Sequence, residues 1–297
     1  CQNLDIGSDG VVALSQALST NQTLQNLDIS YATAGDVGIF ALAQALSSHR
    51  SLQSVNLRRT YFGSEGGIAL ARALSTNQTL QSLNLMSNDL RDDGVTAMAN
   101  ALSTNRSLQS LNLDSTAMSD RGICALMSVL QESDGTLTEL NLSQNPCGKE
   151  GAQAISEYLT VHENSGLQKL HLDCCKIGDF GMGKISAALK TNKSMQLLNI
   201  RENAFGVDGC TSLAETLREN ILLQNMGFCS CSREDITTEI WVRLFHNRVS
   251  KVLRERGTDT LVPTLISWLG TLFDNIYLLL RSRPHLFIRE KAFLGGK

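Results

Sequence analysis

Apolar residues recur along this chain in two alternating rhythms. In the run LQSLNL, Leu80, Leu83 and Leu85 fall on one side, and Ser82, Asn84 and Met86 alternate outward. That period of two predicts a short half-buried strand. Met98 and Leu102 then stand four residues apart in a small-residue apolar segment, the inner stripe of an amphipathic helix. The pair of rhythms begins again at Leu108. Its starts at Leu24, Leu52, Leu80, Leu108, Leu137, Leu167, Met195 and Leu223 are spaced by 28, 28, 28, 29, 30, 28 and 28 residues. A self-similar period of this length marks a stacked repeat and fixes the architecture before any local assignment.

Aligned on these starts, the units share columns. A small side chain with a hydrogen-bonding tip follows the strand at Thr60, Asn88, Thr116, Asn145, Cys175, Asn203 and Cys231, with Ala32 breaking the column. Such a residue suits a buried turn, where it satisfies loop backbone groups of adjacent units. An apolar residue at Phe62, Leu90, Met118, Ile177 and Phe205 closes the loop over the core, and Cys147 shares that column. Asp36, Ser64, Asp92, Asp120 and Asp179 start the helices and are expected to cap them. Gly38, Gly66, Gly94, Gly122, Gly151, Gly181 and Gly209 occupy one position, read as close backbone approach between units. Leu42, Leu70, Met98, Leu126, Ile155, Ile185 and Leu213 form one buried row, and Leu46 through Leu217 another four residues on. One strand and one helix cannot bury these rows alone; stacking can.

The runs Leu137, Leu140, Leu142 with Asn145, and Leu167, Leu170, Leu172 with Cys175, resemble the leucine-rich repeat. The resemblance is to the longer type found in ribonuclease inhibitor and in the sensor domains of NOD-like receptors. It implies an α/β solenoid (a horseshoe) with a parallel β-sheet on the concave face and helices on the convex face. Neighbouring strands sit about 4.8 Å apart while packed helices want about 8–10 Å, so such a stack must curve. The array is expected over residues 1–231, with a truncated unit at 1–23 in which Ile6, Leu14 and Leu18 are partly exposed. Two insertions, Gln131–Thr136 and Thr160–Gly166, fall between helix and next strand.

From Ser232 the period stops. Ile236, Ile240, Trp241, Leu244, Phe245 and Val249 are spaced for one helix face, and a second stripe runs from Leu265 to Leu280 before Pro284. Residues 232–297 therefore read as a C-terminal helical cap over the last repeat. Leu261–Leu280 carries a single charge, but Asp274 and Asn275 near its middle argue against a membrane anchor. The net charge of −3 gives no electrostatic case for nucleic acid or an anionic membrane. The eight cysteines are scattered, with Cys147, Cys175 and Cys231 in the repeat's own columns, and look like the reduced thiols of a cytoplasmic protein. Sequons at Asn21, Asn77, Asn105, Asn141 and Asn192 recur because the repeat recurs, which gives glycosylation little weight. Cys1 opens the chain without a Met or a charged-then-apolar leader, as in a fragment without a signal peptide.

Three constellations invite chemistry and lose it. Gly178 to Lys184 has the spacing of a phosphate-binding loop, yet Gly181 belongs to the repeat's own glycine column and Ile185 stands where Ser or Thr is needed. Cys174 and Cys175 with Cys229 and Cys231 would lie on strands two units apart, about 10 Å, too far for one zinc ion. His171 and Asp173 project from one strand without an aligned nucleophile or ligand set. No cofactor or metal is expected.

What remains is a surface. Tyr31, Arg58, Arg59, Tyr61, Met86, Asp114, His171, Asp173, Arg201 and Glu202 project outward on or just after the strands, mixing charge with exposed apolar area. Arginine and tyrosine are over-represented at binding hot spots. The expected function is that of a non-enzymatic scaffold gripping a protein partner on the concave face and strand-to-helix loops. The resemblance implies a narrower version, a sensor or autoinhibitory segment of a NOD-like receptor. The Ran GTPase-activating protein is similar in repeat type and implies a competitor, with Arg58 or Arg59 as the candidate arginine.

Overall fold

A computed structural model of the chain describes residues 6–133, 135–161, 166–228 and 232–256. The chain divides into two compact units, Cys1–Phe245 and His246–Lys297. In the first, strands and helices alternate: α1 (Gly7–Thr20), β1 (Asn26–Asp28), α2 (Gly35–Ser48), β2 (Ser54–Asn56), α3 (Ser64–Thr76), β3 (Ser82–Asn84) and α4 (Arg91–Leu102). The alternation continues through β4 (Ser110–Asn112), α5 (Asp120–Glu132), β5 (Glu139–Asn141), α6 (Lys149–Val161), β6 (Lys169–His171), α7 (Gly178–Thr191), β7 (Leu197–Asn199), α8 (Val207–Glu219) and β8 (Asn225–Gly227). A last helix, α9, spans Glu234–Arg256. The eight strands form one parallel sheet in chain order. Each pairs with the next at the register of the period, so that Leu83 stands between Val55 and Leu111.

In each strand from β2 to β5 the central residue is buried and its two neighbours are half-exposed. Both leucine rows of the helices are buried as expected, and they meet the strand row in one continuous core. At the first unit Ile6 is exposed and Leu14 partly buried, but Leu18 is fully packed. It belongs to the continuous core, and α1 rests against α2.

The buried-turn column works as its chemistry suggests. Asn88 donates from Nδ2 to the carbonyls of Leu57 and Leu85, and its Oδ1 accepts the Thr60 amide. One side chain thus ties its own turn to the preceding unit. A second asparagine column closes the other end of each unit. Asn77 donates to the Leu46 and His49 carbonyls, and its Oδ1 accepts the amides of Thr79 and Leu80. Asn105 and Asn192 repeat this, and all three are 2% exposed, so these sequon asparagines are occupied by the fold. After the second insertion, the Tyr158 hydroxyl accepts the Leu167 amide.

His49 stands in the second asparagine column. Its Nδ1 accepts the amides of Ser51 and Leu52 at 3.3 and 3.2 Å, while Nε2 is buried without a hydrogen bond. Burial holds its pKa below the usual histidine value, and the Asn21 carbonyl, near the ring but outside hydrogen-bond geometry, opposes this only in part. A depressed histidine contributes stability that is full above the unfolded pKa of about 6.5 and is lost as pH falls through the folded value. His49→Asn is expected to stabilise the chain by about 1 kcal/mol at pH 8 and by more at pH 5.5, since the amide can donate where Nε2 finds no partner. Urea denaturation at both pH values reads this; equal shifts at the two would show that His49 does not titrate with unfolding.

The acidic column requires a correction. Asp36, Asp92, Asp120 and Asp179 lie in the first turns of their own helices, but their carboxylates cap the helix of the next unit. Asp36 accepts the amides of Gly63 and Gly66, and Asp179 those of Gly206 and Gly209. Asp120 accepts the Gly148 amide. Asp92 accepts the amides of Ser119 and Gly122 and the Ser119 hydroxyl. Charge-assisted bonds of this kind contribute roughly 1.5–3 kcal/mol each. Four members of the glycine column follow from the same contact. A Cβ on Gly66, Gly122, Gly151 or Gly209 would stand 2.6–2.9 Å from the incoming carboxylate oxygen.

At the far end, Ile240 and Leu244 of α9 are buried and Ile236 packs against the core. Arg218 of α8 pairs with Glu239 through both nitrogens. One member of the expected helix stripe differs. Trp241 flanks the buried stripe instead of joining it, is 40% exposed, and rests its ring against Phe228 at 6.5 Å. Leu261–Leu280, Cys1, Cys229 and Cys231 lie outside the described residues. Among the described residues no helix is long and apolar enough to cross a membrane.

Candidate partner-binding site

The sheet presents its outward positions on the face opposite the helices. Asn56, Asn84, Asn112 and Asn141 form a row across neighbouring strands, each half-exposed. Each Oδ1 accepts an amide two residues on, at Arg58, Met86, Asp114 and Ser143 respectively. Their fixed side chains give the face an ordered, uncharged row.

The rim just beyond the strands is set by an unusual backbone. Tyr31, Arg59, Ser87, Ser115, Gln144, Cys174 and Glu202 all have φ between 54° and 67° or within a degree of that range. Non-glycine residues rarely adopt this conformation. Here it is held by pairing: the amides of Tyr31, Arg59, Ser87 and Ser115 donate to the carbonyls of Arg58, Met86, Asp114 and Ser143 in the next unit. The strained turn throws these side chains to the rim and makes neighbouring units' residues converge.

Two groups of the expected residues come together. Arg58 and Arg59 stand over the Tyr31 ring at 5.4 and 5.8 Å, with Tyr61 strongly exposed two residues on, itself at φ 60°. In the second group, Asp173 accepts the Arg201 amide, and Glu202 accepts the Cys174 thiol. Met86 lies between the groups, half-exposed. Asp114 differs from its neighbours: it is 7% exposed and accepts the Ser115 hydroxyl. Burial pushes its pKa up, against the Ser115 hydrogen bond and the charge of Arg58.

His171 is only partly exposed. Its Nδ1 lies 2.8 Å from the Asn199 amide nitrogen and its Nε2 3.7 Å from Glu139. Asp173 is not its partner. Glu139 also pairs with Lys169 at 3.0 Å, a charged pair on the face that the outward pattern alone did not single out. The glycine-rich stretch begins α7 at Gly178, so Gly183 and Lys184 lie within the helix, with Lys184 beside the Phe180 ring. Cys175 and Cys147 are buried thiols, and burial pushes Cys175 up to about 12. Neither supplies a thiolate at neutral pH.

A family model described as Leucine Rich repeat matches residues 20–43, 48–71, 76–99, 104–127, 136–156 and 163–186. The chain is 37% identical over 110 residues to human NACHT, LRR and PYD domains-containing protein 13, which is 37% of this chain and 10% of that protein. It is 33% identical over 92 residues to mouse ribonuclease inhibitor, 31% of this chain and 20% of the inhibitor. To rat NACHT, LRR and PYD domains-containing protein 3 it is 30% identical over 142 residues, 48% of this chain and 13% of that protein. The chain thus spans only about a tenth to a fifth of the length of these relatives. Six matched repeats, a single parallel sheet in chain order and these relatives agree: the chain is a leucine-rich-repeat protein of the ribonuclease-inhibitor-like type.

Proposed function

We propose that this chain is a non-enzymatic scaffold that binds a protein partner on the concave sheet face and the strand-to-helix rim. The observation that carries the reading is the asymmetry of the sheet. One side is buried throughout by an apolar row, mostly leucine, while the other keeps a row of ordered, half-exposed polar side chains. A surface already fixed in the free protein avoids much of the ordering cost of association. Tyr31, Arg58, Arg59, Tyr61, Met86, Asp114, His171, Asp173, Arg201 and Glu202 are the proposed contacts, within the cytoplasm.

Blocking the face tests this. Capture of binding proteins from cell extract is expected to be lost with Ser110→Arg and Asn112→Arg together, which crowd the centre of the face. It is expected to survive Asn100→Arg with Ser128→Arg, both exposed on the helical side. Equal loss in both variants, or loss only in the second, would remove the concave face from consideration. The purified chain is expected to leave GTP hydrolysis by small GTPases unaccelerated; an acceleration abolished by Arg59→Ala would establish the activator reading instead.

A further inference from the structure

Arginines in this chain are mostly provided for. Arg91, Arg121, Arg218, Arg233 and Arg243 pair with carboxylates at 2.6–3.9 Å. Among the described residues Arg50, Arg72, Arg106 and Arg201 form no such pair, but they are exposed, where water satisfies them. Arg58 and Arg59 differ from both groups. Among the described residues neither forms an ion pair, and both guanidiniums crowd one Tyr31 ring. Arg58 is half-buried, and its Nε is buried without a hydrogen-bond partner.

Two like charges against one ring repel each other, and a buried donor without an acceptor is costly. The ring's π-face offsets part of this but supplies no acceptor for the N–H groups. Asp114, the carboxylate whose charge reaches Arg58, is already engaged by the Ser115 hydroxyl at 2.6 Å. Arg59 is exposed, so the corner keeps guanidinium donors open to an anion from outside. Tyr61, 66% exposed, and Met86, half-exposed, stand beside it and would pack against whatever carries that anion.

We propose that this corner binds an acidic segment of a protein partner: a carboxylate enters between the Arg58 and Arg59 guanidiniums, and its neighbours pack on Tyr31 and Tyr61. The proposal rests on the concave-face reading and adds the chemistry of the partner to it. Guanidinium and carboxylate match in planar, two-pronged geometry, which favours this pairing over a diffuse one. A nucleic acid fits less well. Asp114 and Asp173 continue the same rim, so no basic stripe follows the corner for a phosphate backbone to track.

The test uses the full chain and a fluorescein-labelled random copolymer of glutamate and tyrosine, titrated by fluorescence anisotropy. Arg58→Gln with Arg59→Gln is expected to weaken binding at least tenfold, and Tyr61→Ala about threefold. Arg121→Gln, at an exposed arginine already paired with Asp93, is expected to change it less than twofold. Circular dichroism of each variant guards against misfolding, and folded double-variant protein that binds like the wild type would overturn the proposal. So would an oligothymidylate of equal length competing as well as the copolymer. If the arginines do not matter while capture still depends on positions 110 and 112, the acidic partner falls and the concave face stands. If capture is indifferent to those positions as well, both fall.

Discussion

Asn145→Ala is expected to lower the unfolding free energy by about 3–5 kcal/mol, several times the cost of the same change at Asn203. Asn145 is fully buried. Its Nδ2 donates to the carbonyls of Leu113, Leu142 and Ser143, and its Oδ1 accepts the amides of Thr116 and Met118. The carbonyls would keep other donors. Leu113 also receives the Thr116 hydroxyl, and Ser143 the Ser115 amide. The two amides would keep none. A buried donor left without an acceptor costs about 1–3 kcal/mol, and water cannot reach this turn. Asn203 makes the matching bonds to Leu172, Cys175 and Ile177 but is half-exposed, so water can replace it. About 1–2 kcal/mol is expected there. Because units touch only their neighbours, the loss at Asn145 should concentrate at the fourth and fifth units. Urea unfolding of both variants measures the contrast, and equal losses would mean that the turn asparagines do not bind the units together.

Gly122→Ala reverses the sign that local propensity assigns it. Inside a helix, alanine for glycine ordinarily gains about 1 kcal/mol. Here the new methyl would stand 2.8 Å from Asp92 Oδ1 and 3.1 Å from the Met118 Cβ. The carboxylate would have to withdraw from the amides it caps, and a net loss of about 2 kcal/mol is expected. In the Asp92→Ala background there is no carboxylate to displace, so the same substitution should cost much less. A double-mutant cycle isolates that coupling. The pH dependence adds a second signature. Burial works against the Asp92 charge, but the bonds from Ser119 and Gly122 with the Arg121 charge hold its pKa below the usual carboxylate range. Its contribution is therefore complete above about pH 4 and disappears as pH falls through the folded value. Additive costs in the cycle would show that the glycine column has nothing to do with the carboxylate.

The contrast between these residues shows what a repeat makes legible. Leucine rows and strand alternation follow from composition at fixed spacing, and the turn asparagines follow from what a small amide can satisfy. The direction of the aspartates does not. An acidic residue at the start of a helix looks the same whether it caps its own amides or those 27–30 residues on, and only stacking decides. The rim hid for another reason. Tyr31, Arg59 and Glu202 have no preference for positive φ, so nothing local announced the turn that carries them outward or the burial of Asp114. The meeting of Tyr31 with Arg59 could have been seen, since both occupy one column in adjacent units. His171 and Asp173, by contrast, stand two residues apart, one ending its strand and the other in the turn after it, and have different partners.

The most direct measurement is site-specific photo-crosslinking in cell extract, with benzoylphenylalanine placed singly at Asn84, Asn112, Asn100 or Ser128. If the sheet face is where a protein partner is held, covalent adducts should form from positions 84 and 112 and not from 100 and 128. Adducts only from the helical positions would place the binding surface on the wrong side of the array.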